Sequence, residues 1–317
     1  MFNAVGLKLE GDHLDLSYHD PSSWTPACAE FESPNQWFVV GDPDSGPTVM
    51  LGAMPAFPSD LWFDSHFHGS DQFRVVIKGE FLVQRRRMKA GDFGYQESGM
   101  PYREGVSGSS KEGCWMFAMH GNWRGARSTR VKSDGTFKLP PLTENQLDRW
   151  AETPDDPCWW NVPGGNKGIV ALKTTLGPIR GGFVWGTVDD TRNWRPLAEG
   201  VSFTAGLFGL PQTGPILLTV KAGPDRVAVP AAIYGTEIVC AVIRGSAKIG
   251  DKLYTAGELR IQSAGVPVDA VVSGPDGVDM VFLIADRRQR PKPSKDDPLF
   301  RQWQETIESL YSELSAA

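Results

Sequence analysis

Basic residues are in deficit in this 317-residue chain, with 32 Lys and Arg against 38 Asp and Glu and a net charge of −6. Binding along a phosphate backbone asks for a positive face, so nucleic acid is not an expected partner. Long apolar runs are also missing. No stretch approaches the roughly 18 residues that cross a bilayer, and no membrane partner is expected. Residues 1–12 lack a charged segment followed by an apolar one, so a signal peptide is not expected either. Cysteine is scarce: Cys28, Cys114, Cys158 and Cys240 lie far apart with no CxxC. That argues against a zinc cluster or disulfide framework and for thiols in a reducing cytoplasm. Helical periodicity is sparse as well.

What the chain has in quantity is Gly (35) and Pro (24), set between short β-branched and aromatic runs. This is the pattern of many short strands joined by tight turns. The chain also contains itself twice. A shift of 166 positions lays His68-Gly69 on Tyr234-Gly235 and Gly79 on Gly245. The same shift lays Gly91-Asp92 on Gly257-Glu258, Gln96 on Gln262, Gly99 on Gly265 and Pro101 on Pro267. Most matched positions are Gly or Pro, which fix unusual backbone conformations, so the repeat is one of architecture.

Strands are expected over 48–53, 61–67, 72–77, 81–86, 92–95 and 114–119, and in the second copy over 216–221, 226–229, 238–243, 246–249, 258–261 and 280–285. Between the copies, 168–174 and 182–188 also read as strands, and Thr143 opens a possible short helix. From Asp297 on, Leu299, Phe300, Trp303, Ile307, Leu310, Tyr311 and Leu314 recur at helical spacing. Such a face is expected to pack on the barrel, with a partner subunit as the alternative.

Two of the five histidines stand as His66-Phe67-His68 in a strand of the first copy. Residues i and i+2 of a strand share a face, so both imidazoles can reach one cation. With Gln72, Gly79, Gly91-Asp92 and Gly99-Met100-Pro101-Tyr102, this spacing resembles the two motifs of the cupin superfamily. The resemblance covers both copies and implies an all-β fold: two tandem double-stranded β-helix (cupin, jelly-roll) barrels with a short C-terminal helix. It implies an N-terminal arm at 1–45, a first barrel at 46–124, a connecting segment at 125–198, a second barrel at 199–290 and the helix at 291–317.

The resemblance also implies a divalent transition metal (Fe, Ni, Mn or Zn) held by His66, His68, Gln72 and Tyr102. Two of these depart from the family's pattern, since Gln72 stands where a Glu is usual and Tyr102 where a third His is usual. An amide oxygen is a weaker, neutral donor, and a phenol must lose its proton to bind. The second copy has Ala232, Tyr234, Ile238 and Val268 at these places, so no metal is expected there. Tyr102 is a candidate catalytic acid–base group. His120, aligned with Asp286 by the shift, is a second candidate, and the plainer reading leaves it exposed at a strand end. Glu97, Arg103 and Glu104 read as rim charges. The expected function is a cytoplasmic cupin-type metalloenzyme, a dioxygenase or lyase acting on a small organic molecule. The alternative is a metal-free or vestigial-metal bicupin serving as a small-ligand binding module or isomerase, and a homodimer is the expected assembly.

Overall fold

The repeat written in the glycines is a repeat of strand pairing. A computed structural model describes residues 11–20, 35–42, 46–63, 65–126, 128–131, 137–138, 172–210, 212–294 and 298–316. Thr143, Trp150, Trp159, Trp160, Cys28 and Cys158 lie outside these residues. In the first copy the long strand Gln72–Val83 pairs on one side with Asp92–Gln96 and on the other with Cys114–His120. Cys114–His120 pairs in turn with Thr48–Met54. The second copy repeats this with Ile238–Ile249, Glu258–Gln262, Val271–Ile284 and Ile216–Ala222. Across each barrel lies a short strand, where His66 bridges Tyr102 as Ala232 pairs with Val268. Each copy is an antiparallel double-stranded β-helix.

The shared glycines have a physical reason. Gly79 and Gly245 sit at φ of 72° and 75°, where a side chain is strained, and a Cβ there would run into the carbonyls of Gly113 and Gly277. The left-handed Gly79 does not end the strand, so the run 72–77 and residues 81–83 of the run 81–86 form one strand, and Arg86 opens the next. The expected strand at 61–67 is divided, into Leu61–Trp62 and His66–His68.

Three apolar clusters organise the packing. One fills the first barrel, around Val76, Phe81, Met88 and Met116. A second fills the other barrel, around Leu218, Val242, Met280 and Phe282. The third joins the outward faces of both sheets, with Phe73, Val75 and Phe117 against Val239, Ala241 and Leu283. Both faces of each central strand are therefore buried, and the barrels stand back to back. Full burial of each such side chain is worth about 1.5–3 kcal/mol, so the shared layer makes separation of the barrels costly.

Strands from the flanking segments complete both sheets. His13–Ser17 pairs with Glu258–Gln262 of the second barrel, and Phe183–Thr187 pairs with Asp92–Gln96 of the first. Helix Pro298–Ala316 lays Phe300, Trp303, Ile307, Leu310, Tyr311 and Leu314 into the second barrel's core. Leu299, counted with that face by its spacing, is instead 39% exposed. No helix among the described residues is long and apolar enough to cross a membrane.

Candidate functional site

Strand alternation turns Phe73, Val75 and Ile77 towards the other barrel and Gln72, Arg74 and Val76 into their own. Register then aligns polar side chains in one inward row. Gln96 faces Gln72, Gln72 faces His120, and His120 faces Thr48. All four are at most 4% exposed. The short strand brings its imidazoles to the same interior: the His66 and His68 rings lie 5.2 Å apart, and Tyr102 lies 4.5 Å from His66 and 6.0 Å from His68. Reciprocal backbone hydrogen bonds between His66 and Tyr102 hold this corner. His120 lies 4.5 Å from His68, ring to ring.

At the centre is Arg74, 3% exposed. Its guanidinium donates to Glu104 Oε2 at 2.6 Å, Gln72 Oε1 at 2.8 Å and Gln96 Oε1 at 2.8 Å. It also lies 4.7 Å from the centre of the Tyr102 ring. The Tyr102 hydroxyl donates to the same Gln72 oxygen at 3.3 Å. Two donors on one oxygen settle the amide's orientation, with Gln72 Oε1 towards Arg74 and the NH2 away from it. His66 Nε2 lies 3.4 Å from Glu104 Oε1, and both side chains keep some exposure, 10% and 17%. The constellation reaches solvent at that end, beside the half-buried Phe63, Phe183 and Trp185.

Burial sets the protonation states. It holds the His68 imidazole well below its usual range, with His120 and His66 adding to the effect. Burial, then Arg74, pushes His120 down to about 3. Burial alone would raise the Glu104 carboxyl, but Arg74 and then His66 draw it down to about 2. Burial keeps Tyr102 a phenol by raising it above its ordinary value. At neutral pH the interior thus holds the Arg74–Glu104 ion pair beside neutral His68 and His120. A 2.6 Å contact between His68 Nδ1 and the Ala126 carbonyl places the proton on Nδ1, leaving Nε2 as an acceptor.

Three atoms of the row have no hydrogen-bond partner among the described residues: Thr48 Oγ1, His120 Nδ1 and Gln72 Nε2. A buried polar atom left unmade costs about 1–3 kcal/mol, so three in adjacent register positions mark a surface built for something else to meet.

Of the residues singled out in the sequence, His66, His68, Gln72, Tyr102 and His120 all converge here. His120 is 3% exposed, so the expectation of an exposed strand end is corrected. Its counterpart also changes. Ile284, not Asp286, pairs with Ile216 and Ile238 as His120 pairs with Thr48 and Gln72. Glu104, expected at the rim, turns inward to Arg74. Arg74, Gln96 and Thr48 were missed, although Arg74 stands two residues from Gln72 on one strand and so shares its face.

No protein-family model and no curated protein matches the chain. Among solved structures it is similar to a candidate dioxygenase from Nostoc punctiforme, at 11% identity and a TM-score of 0.49, over 93% of this chain and 94% of that one. Oxalate decarboxylase from Bacillus subtilis follows at 13% and 0.45, over 90% and 78%. An 11S globulin from Wrightia tinctoria stands at 12% and 0.44, over 82% and 81%. The strand pairing itself gives the chain two tandem double-stranded β-helix barrels. At these identities nothing about its chemistry follows.

The expected metal ligands do not fit a metal as they stand. Gln72 Oε1 is taken by Arg74 and Tyr102, and the Tyr102 hydroxyl is committed to that same oxygen. Among the described residues no group of three or more His, Cys, Asp or Glu is arranged to hold an ion. A divalent cation would also sit beside a permanent guanidinium charge, a contact that electrostatics opposes.

Proposed function

We propose that the first barrel binds a small, neutral, oxygen-rich organic molecule at the row Gln72–His120–Thr48, as a ligand-binding module. The observation that carries this is the trio of unpartnered buried polar atoms in adjacent register positions. The Gln72 NH2 donates to a carbonyl or hydroxyl oxygen. Thr48 Oγ1 donates or accepts. Neutral His68 and His120 offer nitrogens that accept a hydrogen bond from a hydroxyl. Tyr102 and Arg74 act as positioning residues, because their hold on the amide oxygen aims the NH2 at the ligand. Neutrality follows from the charges: Arg74 is already matched by Glu104, so a buried ionic ligand would find no free counter-charge. A metal-dependent dioxygenase or lyase would need Gln72 and Tyr102 as ligands, and both are engaged.

The test is a thermal-shift screen of the full chain against sugars, hydroxyketones and hydroxy acids, followed by proton NMR in D2O, where no exchange at carbon is expected. Neutral hydroxy-carbonyl compounds are expected to raise the midpoint, and His120→Ile should abolish that rise while the chain stays folded. Binding that survives His120→Ile, Thr48→Val and Gln72→Leu alike would place the ligand elsewhere and end this reading.

A further inference from the structure

Arg74 raises a question the row does not answer: why a barrel with an inward His-x-His should keep an arginine among its oxygen donors. Its guanidinium takes up the oxygens of Gln72, Gln96 and Glu104, and these with His66 are the side chains that could surround a cation. The duplicate barrel shows that this set is interdependent. There Cys240 replaces Arg74, Ile238 replaces Gln72 and Val271 replaces Glu104, each in the same register position. Gln262 is retained where Gln96 stands, and its Oε1 has no partner among the described residues. The glutamine of the first barrel is satisfied only because the arginine is present.

We propose that Arg74 is the resident cation of the first barrel: it supplies the positive charge and the directed contacts that a divalent ion would otherwise supply, and by occupying those oxygens it keeps metal out. Its planar donors match several oxygens at once and its charge is permanent, so it competes at every physiological pH. Without the guanidinium, the Glu104 carboxylate, two amide oxygens and the His66–His68 pair would face one another with no cation between them. That mixed oxygen and imidazole set suits a divalent transition metal.

The inference is independent of the ligand proposed above, and metal binding is its readout. Full-length wild type and Arg74→Met, stripped with chelator, are dialysed against Co2+, with metal analysis, visible absorption and thermal midpoints measured. Wild type is expected to hold no Co2+ above the level of its His66→Ala variant. Arg74→Met is expected to take up about one ion per chain, with a visible d–d band and a midpoint rise of roughly 5 °C at a hundredfold excess over Kd. The double variant Arg74→Met, His66→Ala should lose all three signals. A wild type that binds Co2+ through His66 overturns the proposal, and that arm stands even if Arg74→Met does not fold. A folded Arg74→Met that stays metal-free overturns it equally, since Arg74 would then not be what keeps metal out.

Discussion

The two barrels share a pairing scheme and differ in what faces inward, most plainly in one row. In the first it reads Gln96, Gln72, His120, Thr48; in the second, at the same register positions, Gln262, Ile238, Ile284, Ile216. Left-handed glycines, the 12-residue central strand and the apolar layer between the barrels are common to both. The fold is therefore specified by turns and by outward faces, and the inward row is free to vary. Where it is Ile it supports a continuous core, which the C-terminal helix completes with Trp303 beside Phe282. Where it is polar it leaves unmade hydrogen bonds in the interior, a stability cost that function would explain.

The widest separation between the barrels should come from matched truncations. Glu104→Ala strips Arg74 of its carboxylate partner and should cost about 3–5 kcal/mol, the usual penalty for orphaning a buried charge. Val271→Ala, at the same register position in the second barrel, removes only apolar volume and should cost about 2 kcal/mol. Urea denaturation at neutral pH measures both. Equal losses would show that the Arg74–Glu104 pair is not buried as the structure has it.

Acid should distinguish the barrels next. His68 and His120 are neutral in the folded chain, with His120 held at about 3, whereas an unfolded imidazole titrates near 6.5. Between those values the unfolded chain binds the additional proton, so stability is full above about 6.5 and is lost as pH falls towards 3. For His120 the slope approaches about 1.4 kcal/mol per pH unit, or about 2 kcal/mol by pH 5, and His68 adds in the same direction. His120→Ile installs the second barrel's residue and should flatten the wild-type decline between pH 7 and 5 by roughly that amount. Parallel declines in the two proteins would mean that His120 is already solvated and able to protonate.

How much of this was legible in the sequence depended on which physical rule each residue obeys. Gly79, Gly91 and Gly99 are forced by backbone conformation, and their spacing returned the duplication. His66 and His68 followed from strand parity. The same parity extends from Tyr102 to Glu104 and from Gln72 to Arg74, and applied there it would have turned both charges inward. His120 was mismatched to Asp286 because a constant shift of 166 ignores loop length. The last strand of the first copy pairs Cys114 with Gly79, while that of the second pairs Val278 with Gly245, a two-residue slip that only register reveals. Mutual commitments among side chains, such as Arg74 taking the Gln72 oxygen, have no local signature at all.

The smallest expected effect is the most direct test of the unmade hydrogen bonds. Thr48→Val keeps the shape of the side chain and removes a hydroxyl that has no partner among the described residues. Deleting a satisfied hydroxyl destabilises; deleting an unsatisfied one should stabilise, here by about 1 kcal/mol. The second barrel already shows that an aliphatic residue packs at this register, since Ile216 is fully buried there. Differential scanning calorimetry of the ligand-free chain should show a higher midpoint for Thr48→Val. A lower one would mean that the Thr48 hydroxyl is satisfied in solution, and that the row has one fewer group to offer a ligand.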